Sequence, residues 1–194
     1  MEAIYYVSPG IADQLYAALV GPTGSETLTT ESARSVDATV EAGLSNVLGA
    51  IARVGGKGGT RRQRRTASTR HVEKSVVDRA TELAVLLHGR LPAIEAGTPG
   101  LCWYSGETHI RLRVVAGDSM VEVSGEASGT KFSGLTSAQH WVSDSLRNNL
   151  IMAAATSPTG TVGTAGLVLP FETGLADGAE AVQAQFIIIG SRQG

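Results

Sequence analysis

One stretch, Arg53 to Lys74 (RVGGKGGTRRQRRTASTRHVEK), divides the chain. It holds eight of the sixteen Lys and Arg residues, and no Asp or Glu occurs from Ala42 to Val72. Gly55, Gly56, Gly58 and Gly59 open it. Glycine loses more backbone freedom on ordering than any other residue, so a loop is expected there in place of helix or strand. The rest of the chain has to fold around that insert. Helical patterning flanks it on both sides, and strand patterning follows.

The length of 194 residues suits a single domain, 1–194, carrying a flexible basic Gly/Arg-rich insert at 53–70. Hydrophobic residues at 42% are enough for a core, while 24 glycines and 5% aromatics predict small side chains and many turns. The formal net charge of −2 conceals the local asymmetry: averaged over the surface it attracts no polyanion, concentrated in one loop it does. Cys102 stands alone, which excludes an intramolecular disulfide and a thiolate metal cage. Met1-Glu2-Ala3 runs straight into a short strand, leaving no leader pattern, and no apolar run approaches the ~18 residues of a membrane span. A cytoplasmic protein is the expectation.

In chain order, Ala3–Val7 (AIYYV) reads as a strand. Ser8-Pro9 then reads as an N-cap with proline at the first helical position. Ile11, Leu15 and Leu19 give that helix one apolar stripe, and Gly21-Pro22 stops it. Thr23–Ser35 is expected as an exposed loop.

A second helix is expected over Val36–Ala52, with Val36, Val40, Leu44, Val47 and Ile51 on its period. Gly43 and Gly49 within it each cost about 1 kcal/mol against alanine. Close packing on another helix or on a second copy offsets that cost; a core helix of a monomer is the alternative. Thr69–His88 is expected as a long helix burying Val72, Val76, Ala80, Leu83 and Leu87, with Gly89 as its C-cap and His88 in its last turn.

The next block is β. Leu101–Tyr104 reads as a short strand, and Thr108–Val115 with Met120–Ala127 as a hairpin. A type II′ turn at Gly117-Asp118 sets Val114 against Val121, Arg113 against Glu122, Leu112 against Val123 and His109 against Glu126. One face is then apolar and the other charged. A helix is expected from Ala138 to about Asn149, capped by Ser137, with Ile151–Thr156 as a small-residue strand and Ser157–Gly166 as a Gly/Thr loop. Leu167–Phe171 and Val182–Ile189 close the pattern as strands, the last covered on both faces because Ile187–Ile189 is continuously apolar. Helices before strands predict an α+β fold: about four helices packed on an antiparallel or mixed sheet.

The order of an aromatic strand (IYYVS), a helix ending LYAAL, a Gly/Ser-rich then basic insert, a long helix and a Gly-Asp hairpin (GDSMVEVSGE) resembles a bacterial domain-of-unknown-function family. There a strand of Tyr-Leu-Asp type precedes a glycine-rich insert and a Gly-Asp-x-x-Val-x-Val-x-Gly hairpin. The likeness covers about residues 3 to 135 and departs at Ser8, where that pattern has an acidic neighbour. It implies a bacterial origin and a shared fold, with no activity to carry over.

Among candidate sites the basic loop ranks first. Lys57, Arg61, Arg62, Arg64 and Arg65 have the chemistry to pair with phosphates beside glycine backbone that lets an anion approach. It is not a Walker A loop, since position 51 is Ile and position 58 is Gly. No aromatic is interleaved for base stacking, and a ligand-free solvated linker is the alternative. His109, Arg111 and Arg113 share one strand face as a small-anion platform that Glu122 and Glu126 neutralise. His71, His88, His109 and His140 have no metal-ligand spacing, although His140 and Asp144 form an i, i+4 pair. No G-x-S-x-G elbow occurs, and Cys102 beside Trp103 reads as a buried thiol.

These features predict a non-enzymatic bacterial binding or assembly module. The basic loop would contact a phosphate-bearing ligand, nucleic acid or nucleotide. The segment with Val36, Val40, Gly43, Leu44, Val47 and Ile51 would support a homo-oligomer or a partner protein. No cofactor or metal is expected. The alternatives are an enzyme acting on a phosphorylated small molecule, with the same arginines as clamps, and a purely structural interaction subunit.

Overall fold

The computed structural model describes residues 1, 3–20, 74–176 and 179–192. The expected Val36–Ala52 helix and the basic insert lie outside them. The elements in order are β1 (Ile4–Val7), α1 (Pro9–Leu19), α2 (Val76–Leu87), β2 (Cys102–Val115), β3 (Asp118–Ala127) and β4 (Thr130–Ser137). A 3-10 turn (Ala138–His140), α3 (Asp144–Thr156), β5 (Val162–Ala176) and β6 (Ala179–Ser191) complete the chain.

Strand pairing runs β1-β6-β4-β3-β2-β5, and β5 also pairs with β6. That last pairing closes β6-β4-β3-β2-β5 into a five-stranded barrel. Every ladder is antiparallel except β4 with β6, where Phe132 meets Val182 and Ser133 meets Gln183. Three strands joined by hairpins, then a fourth (β5) returning beside the first (β2), make a Greek key. The β4–β6 seam is short, and β1 occupies the space beyond it. β1 pairs with β6 from Ile4↔Gly190 to Val7↔Ile188 on one side, and meets Trp141 through a Tyr6 bridge on the other.

The expected α+β fold of about four helices on a sheet is therefore overturned: six mostly antiparallel strands dominate, with three α-helices among the described residues. The cause is strand length. β2, β5 and β6 run 14, 15 and 13 residues, through glycines that read as turn residues in the sequence. These glycines lie inside strands because the coiled barrel brings backbones together. A Cβ on Gly106 would lie 2.1 Å from the Glu126 carbonyl oxygen, and one on Gly166 2.0 Å from that of Ile188.

The barrel interior is filled by the alternate side chains of its strands. Tyr104, Phe132 and Phe186 pack with ring centroids 5.1, 5.6 and 6.1 Å apart, among Ile110, Val121, Val123 and Val168. A second core lies outside the barrel, where Leu15 of α1 and Leu83 and Leu87 of α2 cover Leu167, Ile187 and Ile188. A register shift in β5–β6 (Leu167↔Ile188, then Val168↔Phe186) turns both Ile187 and Ile188 towards the helices, while Phe186 and Ile189 face inward. The last strand is covered on both faces, as its continuous apolar run predicts.

Local chemistry also moves several boundaries. α2 starts at Val76, not Thr69, because Ser75 is extended and forms a capping box with Asp78. Its hydrogen bonds to Ser75 hold the Asp78 carboxyl below its usual range. The expected helix from Ala138 breaks after His140: Trp141 turns inward and donates through Nε1 to Thr136 Oγ1 at 3.1 Å. A fresh helix begins at Asp144, capped by Ser143, and absorbs Ile151–Thr156, expected as a strand. The Gly/Thr loop is strand from Val162 onward.

Candidate functional site

The β2–β3 hairpin corrects its expected register. The two-residue turn is Ala116-Gly117, with φ of 52° and 92°, not Gly117-Asp118. This is the positive-φ pair of a type I′ turn, and Ser128-Gly129 repeats it between β3 and β4. Leu112 consequently faces Val121, Arg113 faces Met120 and His109 faces Ser124. Slipping a partner strand by two residues preserves the faces, so the apolar and charged sides stay as expected. Arg113 reaches Glu122 diagonally at 2.8 Å.

On the outer face of the meander, Glu107, His109, Arg111 and Arg113 of β2 lie beside Glu126, Ser124, Glu122 and Met120 of β3. Lys131, Ser133, Leu135 and Ser137 of β4 continue the rows. The face carries no Phe, Tyr or Trp, so it offers no stacking platform for bases. Its charges are largely matched across strands. Glu107 accepts from Thr161 Oγ1 at 3.0 Å and pairs with Arg192 at 3.1 Å.

A groove of about 480 Å³ opens where β5 leaves β2. β5 pairs with Cys102–Thr108 alone, so the rest of β2 faces α3 and the turn after it. His109, Ile110, Arg111 and Leu112 form one wall; Ile151, Ala154 and Ala155 of α3, with Thr159 and Gly160, form the other. His109 Nδ1 lies 2.9 Å from the Gly160 carbonyl oxygen, which only accepts, so Nδ1 carries the proton. In the neutral ring Nε2 is then the acceptor.

Groups resembling active-site chemistry have structural partners. Tyr104 donates no visible acidity: its hydroxyl accepts from Thr164 at 3.2 Å inside the barrel, and burial pushes its pKa well above the usual phenol range. Burial likewise lifts the Cys102 thiol to about 11 and the Tyr6 hydroxyl to about 12. These shifts remove reactivity at neutral pH. His88 is the C-cap of α2 and meets Trp103 edge-on at 5.0 Å. Asp144 pairs with Arg147 at 2.8 Å, not with His140. No group of three His, Cys, Asp or Glu suited to a metal ion occurs among the described residues.

Lys57, Arg61, Arg62, Arg64 and Arg65 lie outside the described residues, as do Val36, Val40, Gly43, Leu44, Val47 and Ile51. The last cation of the Arg53–Lys74 stretch is placed, however. Lys74 Nζ lies 2.7 Å from Glu82 Oε1, while Tyr16 donates to Glu82 Oε2 at 2.6 Å. Lys74 holds the Glu82 carboxyl below its usual range, and Glu82 raises both the Lys74 ammonium and the Tyr16 hydroxyl. Arg79 joins Asp13 at 2.9 Å beside them. This polar seam ties α1 to α2 where the chain emerges from the basic stretch.

The groove is what sequence reasoning missed. Its walls come from a strand and a helix more than thirty positions apart in the chain, and the helix wall was expected as a strand. No helix among the described residues is long and apolar enough to cross a membrane. Comparison of the chain with family models, with curated proteins and with solved structures finds no match in any of the three.

Proposed function

We propose that this chain is a non-enzymatic bacterial module that binds a phosphate-bearing ligand or nucleic acid through Lys57, Arg61, Arg62, Arg64 and Arg65, and self-associates through Val36, Val40, Gly43, Leu44, Val47 and Ile51. The observation that carries the reading is charge segregation. Residues 53–74 hold eight cations against one carboxylate, leaving eight cations against seventeen carboxylates in the rest of the chain. A single-sign stretch of that density attracts polyanions, whereas the acidic remainder repels them and confines contact to the stretch. Lys74, the last cation of the stretch, pairs with Glu82 of α2.

Partly open five-stranded Greek-key barrels recur as platforms for oligonucleotides and oligosaccharides. This is an analogy of architecture and bears on ligand class alone. Since the outer β2–β3–β4 face lacks stacking aromatics, the recognition expected is of phosphate and not of base sequence. Native mass spectrometry of freshly purified protein, with its ultraviolet absorbance ratio, tests the reading. A co-purified anion that is lost when Arg61, Arg62, Arg64 and Arg65 become Ser supports it; equal retention by the variant contradicts it.

A further inference from the structure

We propose that the edge of β2 from His109 to Val115 receives an added strand from another protein, in which carboxylates alternate with apolar side chains. Three observations converge there. First, β5 covers β2 only as far as Thr108, and among the described residues β3 is the one ladder partner of His109–Val115. Among the described residues, the outward main-chain groups of this seven-residue edge thus have no ladder partner, and main-chain pairing supplies affinity in strand addition.

Second, a groove of about 480 Å³ lies beside the first part of this edge, His109 to Leu112. Its far wall is Ile151, Ala154 and Ala155, the two alanines leaving room there beside β2. On the barrel side of the edge, Leu112 and Val114 are 53% and 73% exposed, large values for residues whose strand neighbour Ile110 is buried. Alternate side chains of an incoming strand on that side must be apolar to cover them.

Third, charge selects the occupant. The outer side of the edge carries Arg111 and Arg113. If a second copy paired with this edge about a two-fold axis, each residue would lie opposite a residue of the same face. Every such register over the two arginines sets Arg111 against Arg113, or one of them against itself. Like charges directly opposite are destabilising, so the edge is built against self-pairing. A carboxylate at the same positions is favoured. Arg113 engages Glu122 through Nε, a contact along its own sheet that leaves the Arg113 side chain half exposed. Arg111 has interactions of its own, and its charge alone enters the argument.

The test selects binders to the full chain from a library of displayed linear peptides and maps them by hydrogen exchange. Enrichment of peptides alternating Glu or Asp with Val, Ile or Leu, with slowed exchange in residues 109–115 on binding, supports the proposal. Arg113→Glu should then weaken those peptides on the order of tenfold and favour Lys-bearing ones, with Arg113→Gln intermediate and equally well folded. No enriched class, enrichment indifferent to charge, or protection elsewhere overturns it. So does protection of 109–115 in the peptide-free chain: if independent of concentration, a segment of this chain already lies there; if concentration-dependent, a second copy does. None of these outcomes depends on whether the basic stretch binds phosphate.

Discussion

Replacing Gly134 with alanine should loosen the barrel at its weakest seam. Gly134 lies in β4 next to Ser133, the last residue paired in parallel with β6. A Cβ there would fall 2.1 Å from the Ala184 carbonyl oxygen and 2.8 Å from Phe186 Cε2. The first of these atoms is backbone, so no rotamer change relieves the contact and β6 itself must shift. Overpacking of this kind costs roughly 1–3 kcal/mol, and a backbone obstacle places the cost near about 3. For a domain of this size that corresponds to a fall in Tm of about 6–12 °C. Urea denaturation followed by tryptophan fluorescence reads it, because Trp141 packs on Tyr6 of β1, the strand beyond the seam. Gly10→Ala is the control: it lies in the first turn of α1 with open space around it, and should be neutral or stabilising by up to about 1 kcal/mol. If Gly134→Ala unfolded within about 0.5 kcal/mol of the parent chain, the overpacking argument for closure of the β4–β6 seam would be wrong.

Thr136→Val should cost about 1–3 kcal/mol despite its matched shape, because it strands the buried Trp141 Nε1–H and frees the Val121 carbonyl; denaturant midpoints decide. Tyr104 titrates higher in the folded than in the unfolded chain, so its contribution is complete below about pH 10 and declines as pH rises. Tyr104→Phe should therefore flatten the alkaline limb of a stability-against-pH curve; an unchanged limb counts against that assignment. Glu82 has the opposite sign: its folded pKa is lowered, so its stabilisation is present at neutral pH and lost on acidification. Glu82→Gln should leave a shallower acid limb by the same assay. The Cys102 thiol, buried and raised to about 11, should react with a maleimide only once denaturant opens the barrel.

The local signals were legible in sequence and their assembly was not. The two-sided burial of β6 followed from Ile187–Ile189, and the faces of the β2–β3 hairpin followed from alternation. The register did not, because Ala116 adopts a positive φ where turn preferences favour Gly, Asn or Asp. Pairing Ile110 with Val123 inside the barrel outweighs that local cost, which is about 1–2 kcal/mol. Closure was invisible for a related reason: glycines that punctuate loops in most chains mark close backbone approach at Gly106, Gly134 and Gly166. The groove depends on where β5 departs from β2, a long-range fact with no short-range signature. The charge asymmetry of the basic stretch needed no structure to be seen.

The central claim is that phosphate contact resides in that stretch, and the salt dependence of binding tests it most directly. A labelled oligodeoxynucleotide and inorganic polyphosphate are titrated with the full chain, and with the chain in which Arg61, Arg62, Arg64 and Arg65 are Ser. Each cation that neutralises a single-strand phosphate adds about 0.7 to the slope of log affinity against log salt. The account predicts a steep slope for the parent chain and one shallower by up to about 3 for the variant, with both probes weakened. Equal slopes and affinities in the two proteins would contradict it.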